Sequence, residues 1–584
     1  MQGKGLAATA LFGAMTFIST ASVVPTTALA AGPLPLCTDL ATDPALGLAG
    51  NPLIKSHKSQ VIAKNDANVS YCQVQLLWGR TAQENINITV GLPLNSLDGG
   101  SGGVQGAWNG RTQGVGGGGC AGALNQPPSP PYPAPGPPGT LNGAGLAAVN
   151  TGYVGSGTDL GHAGGDCTPG VNPDQTYNFT FIDDFIRVAI KQQVRRSKSL
   201  ATVYYGMNPA YNYWNGCSTG GRQGYLLAQE LGDELEGILA DAPAIYWTRF
   251  QTAQMWGQIA MKELAGGPIS TAKLNFATTE AIKACDAQDG IVDGIIDDPR
   301  TCTFSASALI CGTSNNANCL TPGEAKAIDK IWDGPRNAKG NKIWFALDRG
   351  TNLGTGFTLD GTPPFPLGVT QFQWDEHMRS FDWTTVVEKG YPKVAQDGST
   401  NPVSPGVSLA DETDTFGDLD QFKKHGGKLL TFVGGNDQLI FPRGVINYYR
   451  QMAALYGSNP NSPDFTALYP FYRLFRAPGV GHCAGPMAPP QSQILFDALV
   501  NWVEHGQAPD QIPTAGGKVN RPLCLYPKGG AGCGVANLET PKTVCADVLA
   551  KYKHEDSSEQ LDFTGTGVNR QTCDLTGQSA NAKP

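Results

Sequence analysis

Ser218 stands in Gly216-Cys217-Ser218-Thr219-Gly220, a serine flanked by glycines at the spacing Gly-x-Ser-x-Gly. A serine hydroxyl attacks a carbonyl only when a base takes its proton. The glycines let a strand turn sharply into a helix and lift that hydroxyl clear of its neighbours. Five residues with three fixed recur by chance in long chains, so the pattern alone is weak. Two later residues strengthen it. Asp437 follows the apolar run 428–433, in Gly434-Gly435-Asn436-Asp437. His482, one of seven histidines, lies in the loop Gly479-Val480-Gly481-His482-Cys483. Serine, aspartate and histidine in this order supply a nucleophile, an orienting acid and a general base. The competing reading of His482 is a structural loop histidine.

Cys217 precedes the candidate nucleophile and Cys483 follows the candidate base. A disulfide between them would hold their Cα atoms within roughly 4.4–6.8 Å and bring Ser218 and His482 within reach of a hydrogen bond. The competing reading is two unrelated cysteines with other partners.

The elements that must position these residues alternate between strand and helix. Residues 61 to about 94 carry alternating runs, such as 73–77 and 86–90, that predict an antiparallel entry to a sheet. A glycine loop at 114–119 and a Pro-dominated stretch at 126–139 follow, the latter a surface insertion. Helical spacing predicts a helix over 179–196 and another over about 222–230. A short strand is expected at 203–205, and further strands at 428–433 and 472–475. Residues 491–505 read as a C-terminal helix with Ile494, Leu495, Ala498, Leu499 and Trp502 on one face. The fold class is therefore α/β, interrupted by a long insertion at 245–415 that holds six of the ten Trp.

Cys217-Ser218, Asp437 and His482-Cys483 resemble the CS-D-HC motif of the tannase and feruloyl esterase family, which also includes the bacterial hydrolase of mono-hydroxyethyl terephthalate. The stretches Tyr213-Trp214-Asn215-Gly216-Cys217-Ser218-Thr219-Gly220-Gly221-Arg222-Gln223-Gly224 and Ala477-Pro478-Gly479-Val480-Gly481-His482-Cys483 carry the likeness, with Glu236-Gly237-Ile238-Leu239-Ala240-Asp241-Ala242-Pro243-Ala244 adding to it. It runs from about Cys37 to Cys573.

The resemblance implies an α/β-hydrolase fold, a mostly parallel central sheet flanked by helices, with a large inserted lid domain. The core would span 31–244 and 416–584, with the lid at 245–415. The activity implied is hydrolysis of aromatic, phenolic carboxylic esters, of feruloyl esterase or tannase type, by Ser218, His482 and Asp437 through an acyl-enzyme. A terephthalate monoester hydrolase of the same family is the alternative. A serine peptidase of the same fold is disfavoured, and a non-catalytic polyphenol- or carbohydrate-binding protein would be expected to have lost part of the triad. The oxyanion would be received by the amide of Thr219 and by the glycine loop, at Gly118 or Gly119. A glycine run can equally be plain loop, and the Pro-rich insertion beside it departs from the family pattern.

Residues 286–298 pack five aspartates into thirteen positions, with glycines at 290 and 294. Like charges this close repel unless a cation neutralises them, and hard oxygen ligands favour Ca²⁺. The EF-hand spacing fails. By resemblance, Asp286, Asp289 and Asp293 supply carboxylates to a structural calcium in the lid, and Ile291 and Ile295 supply carbonyls. Cys285 and Cys302 flank the loop and could staple it. A solvated acidic turn without metal is the competing reading. Further pairs proposed are Cys37–Cys72 and Cys311–Cys319, with Cys524–Cys545 by analogy to the family. Cys120–Cys167 and Cys533–Cys573 are what remains.

Composition sets the outer bounds. Of 584 residues, 75 are Gly and 42 Pro, about a fifth together, which is below the level of low-complexity disorder. The net charge of −8 and the lack of a basic run argue against nucleic acid as a partner. Residues 1–30 read as a signal peptide, with Lys4, an apolar stretch and Ala28-Leu29-Ala30 before the cut; the competing reading is a membrane anchor. Fourteen cysteines, none in that segment, fit a disulfide-bonded protein that is secreted or periplasmic, with no stable membrane anchor after cleavage. The expected partner is a small aromatic ester, and no organic cofactor is called for. The sequence sets no oligomeric state.

Overall fold

The computed structural model describes residues 33–119, 121–122, 141, 143–163, 168–170, 172–174, 178–312, 317–335, 344–354, 417–457, 463–483, 491–513 and 522–527. Among the described residues nine strands form one sheet: β1 (Ile54–Ile62), β2 (Tyr71–Trp78), β3 (Ile86–Pro93), β4 (Arg111–Val115), β5 (Val154–Thr158), β6 (Tyr211–Cys217), β7 (Gly237–Asp241), β8 (Lys428–Gly434) and β9 (Tyr472–Ala477). Their order is β1-β2-β3-β5-β4-β6-β7-β8-β9. The first three strands and β5 pair antiparallel, as the alternating entry predicts, and every pair from β5 to β9 is parallel. Parallel strands are buried on both faces, which is why β7 and β8 read as nearly unbroken apolar runs.

Helices cover both faces. One carries α1 (Ala189–Tyr205) and α2 (Thr219–Glu230), packed with Trp214, Ile238 and Ala240. On the other, Leu495, Leu499 and Trp502 of the helix Gln491–His505 meet Tyr213, Leu239 and Phe432. The insertion between β7 and β8 contains helices at Trp247–Ala265, Thr271–Cys285 and Pro322–Asp333. Of its aromatic residues, Trp344 and Phe345 are buried; residues 355–416 of the insertion lie outside the described part.

Two expectations change. Residues 203–205 are not a strand but the last turn of α1. Leu200, Ala201, Tyr204 and Tyr205 continue its buried face, and Gly206, at φ 69°, ends the helix in the left-handed conformation. The β-branched Thr202 and Val203 imitate a strand locally, but packing decides. The second helix also begins earlier than expected, at Thr219, immediately after Ser218.

Candidate active site

β6 delivers Ser218 at the point where strand becomes helix. Its backbone, at φ 61° and ψ −121°, is unfavourable for a residue with a Cβ and persists only because its surroundings hold it. The Ser218 amide donates to the Asp241 carbonyl at 3.0 Å, and the Ala244 amide donates to the Ser218 carbonyl at 3.1 Å. The adjacent strand and the segment that follows it thus clamp the turn from both sides. Glycine is required beside it: a Cβ on Gly216 would lie 2.6 Å from the carbonyl carbon of Gly220.

A disulfide joins Cys217 to Cys483, with Cα atoms 5.9 Å apart across 266 positions of sequence. It carries the loop after β9, with His482, to the elbow. His482 Nδ1 lies 2.8 Å from Asp437 Oδ2. Asp437 is fully buried, and its Oδ1 accepts from the amides of Leu439 and Ile440, each at 2.8 Å. Three hydrogen bonds thus fix the carboxylate. A carboxylate at Nδ1 keeps the proton there and leaves Nε2 as the basic nitrogen. The His482 amide is tied to Gln438 Oε1 at 3.2 Å, and Nε2 rests 3.4 Å from Cys483 Sγ. Among the described residues Ser218 Oγ has no hydrogen-bond partner.

The glycine loop folds over the first turn of α2. The Gly116 amide continues the ladder to the Asn215 carbonyl at 2.9 Å. A Cβ on Gly220 would meet the Gly116 carbonyl carbon at 3.0 Å, so loop and helix are in contact. Thr219 Oγ1 donates to the Gly119 carbonyl and ties the two expected oxyanion contributors together. Among the described residues the amides of Gly118 and Gly119 make no hydrogen bond.

Asp241 was not singled out by the sequence, although an acid ending an apolar strand beside the elbow is a readable signal. It is buried, Oδ1 has no partner among the described residues, and burial followed by the nearby Asp437 charge pushes its carboxyl well above the usual range. Gln223, also buried one turn into α2, enters the sequence reading only as one residue of the stretch 213–224, with no role of its own.

The acidic loop is stapled by Cys285–Cys302. Asp286 accepts from the amides of Asp293, Gly294 and Ile295 at 3.1–3.2 Å. Asp289 accepts from Ile291 and Asp297, and Asp293 from Ile295. The donor chemistry suits a hard cation, but the carboxylates are turned to backbone amides. Among the described residues no three His, Cys, Asp or Glu side chains are placed to hold a metal. The loop also abuts β9 and the loop that carries His482: buried Arg476 donates to the Asp297 carbonyl at 2.5 Å, and a Cβ on Gly479 would press on Ile295 at 2.7 Å.

Disulfides Cys37–Cys72 and Cys311–Cys319 are present. Cys524 is disulfide-bonded, and its expected partner Cys545 lies outside the described part. Cys120, Cys167, Cys533, Cys545 and Cys573, the Pro-rich stretch at 126–139 and residues 1–30 also lie outside it. Among the described residues no helix is long and apolar enough to cross a membrane.

The family profile described as tannase and feruloyl esterase matches residues 104–361 and 366–539. A probable feruloyl esterase of Arthroderma benhamiae is 30% identical over 521 residues, covering 82% of this chain and 87% of that protein. Feruloyl esterase B of Aspergillus niger is 28% identical, covering 68% and 76%. Among solved structures, feruloyl esterase B from Aspergillus oryzae superposes with a TM-score of 0.62 at 24% identity, covering 81% of this chain and 92% of that one. Tannin acyl hydrolase from Aspergillus niger gives 0.63 at 22% identity, covering 90% and 98%.

Proposed function

The chain belongs to the tannase and feruloyl esterase family and is a carboxylic ester hydrolase of α/β-hydrolase fold, and from that premise we propose that it hydrolyses phenolic esters through Ser218, His482 and Asp437. The observation that carries the reading is the pairing of buried Asp437 with His482 Nδ1 in a loop covalently tied to the residue before Ser218.

His482 Nε2 takes the Ser218 proton as Oγ attacks the ester carbonyl. Asp437 holds the ring and stabilises the imidazolium that forms. The charge on the carbonyl oxygen grows toward the Thr219 amide at the start of α2 and the Gly118 and Gly119 amides, N–H groups that are unpaired among the described residues. His482 returns the proton to the departing alcohol, leaving an acyl group on Ser218. Water, deprotonated by His482, then releases the acid. The acyl groups proposed are ferulate or gallate types, because the curated relatives named above are feruloyl esterases and a structural neighbour is a tannin acyl hydrolase.

The test is Ser218→Ala, assayed on methyl ferulate, methyl gallate, chlorogenate and a terephthalate monoester. Turnover should fall to background on every ester the parent cleaves, and undiminished turnover would remove Ser218 from the mechanism. Comparing kcat/KM across the panel in the parent assigns the acyl group. Release into an oxidising compartment is part of the proposal and is supported by the disulfides. So is calcium in the 286–298 loop, supported by its oxygen-only donor set; Asp286, Asp289 and Asp293 would hold it, and its role would be structural.

A further inference from the structure

The oxyanion loop rests on a side chain that the chemistry above leaves unused. Gln223 lies five positions past Ser218 on α2 and is 1% exposed. Among the described residues neither its Nε2 nor its Oε1 has a hydrogen-bond partner. Burying an unpaired amide costs free energy that an isosteric apolar side chain would not. Its placement points to where a partner arises. A Cβ projected from Gly116 would lie 2.8 Å from Gln223 Oε1, so the amide is packed directly beneath the start of the glycine loop.

The flanks of that loop are already held. Gln193 Nε2 donates to the carbonyls of Val115 at 3.2 Å and Ser156 at 2.9 Å, fixing the end of β4. At the far end Thr219 Oγ1 holds the Gly119 carbonyl. Between these anchors run consecutive glycines, the residues with the most backbone freedom to lose. Oxyanion donors are effective only at about 2.7–3.1 Å from the developing charge, so some group must define the backbone there.

We propose that Gln223 is a positioning residue for the oxyanion loop: its amide hydrogen-bonds to the Gly116–Gly118 backbone as the loop closes on the tetrahedral intermediate, fixing the amides that receive the charge. The inference rests on the reading of Ser218 and the glycine loop given above. Because the bond forms in the transition state and not in the ground state, its loss lowers kcat and leaves KM largely unchanged.

Two variants test it. Gln223→Met keeps shape and removes hydrogen bonding; it should lower kcat by about 10-fold or more, with KM nearly parental and Tm unchanged or raised. Gln223→Glu retains a donor and an acceptor while its buried carboxyl is neutral and loses the donor on ionising. Its kcat should lie near the parent at pH 6 and fall away from it toward pH 9. Parental kcat in Gln223→Met, or a Gln223→Glu profile parallel to the parent, would overturn the proposal. Should the Met variant not fold, the Glu profile decides alone. Retained turnover in Ser218→Ala would sink the proposed function; loss there with parental Gln223→Met kinetics sinks only the role of Gln223.

Discussion

The Ser218 amide donates to the Asp241 carbonyl at 3.0 Å, so the strand-to-helix turn at Ser218 hangs from the strand beside its own. This bond consumes the Ser218 N–H and leaves the Thr219 N–H as the first that, among the described residues, is available for the proposed oxyanion role. It also explains why α2 begins without a side-chain cap: Ser218 is held by its backbone, and its hydroxyl is not spent on the helix end.

Asp437→Asn keeps the side-chain shape but lets the amide favour the wrong histidine tautomer. The Nδ1 proton no longer has a carboxylate to hold it, and the imidazolium loses its counter-charge. We expect kcat to fall by about 10²–10⁴-fold with KM little changed. Steady-state kinetics on one cleaved ester checks this, and activity within a few-fold of the parent would exclude Asp437 as the triad acid.

Replacing both Cys217 and Cys483 by Ala removes the covalent tie between elbow and histidine loop. The bridged loop spans 266 positions, and chain-entropy reasoning places the stability loss at up to ~5 kcal/mol. Both folding stability and activity should fall, because the strained backbone at Ser218 and the position of His482 depend on the same tie. Denaturant melts read the first and kcat the second; a variant that melts like the parent with full activity would assign the bridge no role.

Much of this site was legible in the sequence because its signals are local. A serine between glycines, an acid just past an apolar strand and a histidine among glycines each mark a strand end, and the two adjoining cysteines supplied the long-range link. What was not legible depends on contacts far apart in the chain. Nothing local says that β5 lies between β3 and β4, or that Arg476 reaches the Asp297 carbonyl 179 positions away. The segment 203–205 was misread because β-branched residues mimic a strand within a window too short to show the helical period. Gln223 stands in the stretch 213–224 that carries the family likeness, but nothing there marks it as buried, since a glutamine on a helix is ordinarily a surface residue.

Asp241 gives stability a pH dependence whose sign follows from its burial. Its carboxyl is raised well above the ordinary value of 3.8 in the folded chain, so the folded form keeps a proton that the unfolded form has lost. Proton uptake on folding makes stability fall as pH rises above that value, by at most ~1.4 kcal/mol per pH unit for one proton. Asp241→Asn is neutral in both states and removes that contribution. The variant should match the parent near pH 4 and exceed it increasingly toward pH 8, as urea melts at several pH values will show. A constant difference across that range would mean that Asp241 is ionised in the folded protein.

Calcium removal distinguishes the two readings of residues 286–298. In the structure each expected ligand carboxylate already accepts backbone amides, Asp286 three of them. That arrangement suits a loop that closes on itself, yet carboxylates have further lone pairs for a cation. A bound ion would stabilise the folded chain in proportion to the logarithm of its free concentration. Because this loop carries the Asp297 carbonyl that Arg476 grips and Ile295 against Gly479, loosening it should reach the His482 loop as well. Chelation is therefore expected to lower Tm and, more modestly, kcat, with millimolar Ca²⁺ restoring both and Asp286→Asn abolishing the response. Mass spectrometry of the native protein should then find one ion per chain. No metal and no shift in Tm would establish the loop as a self-capped acidic turn.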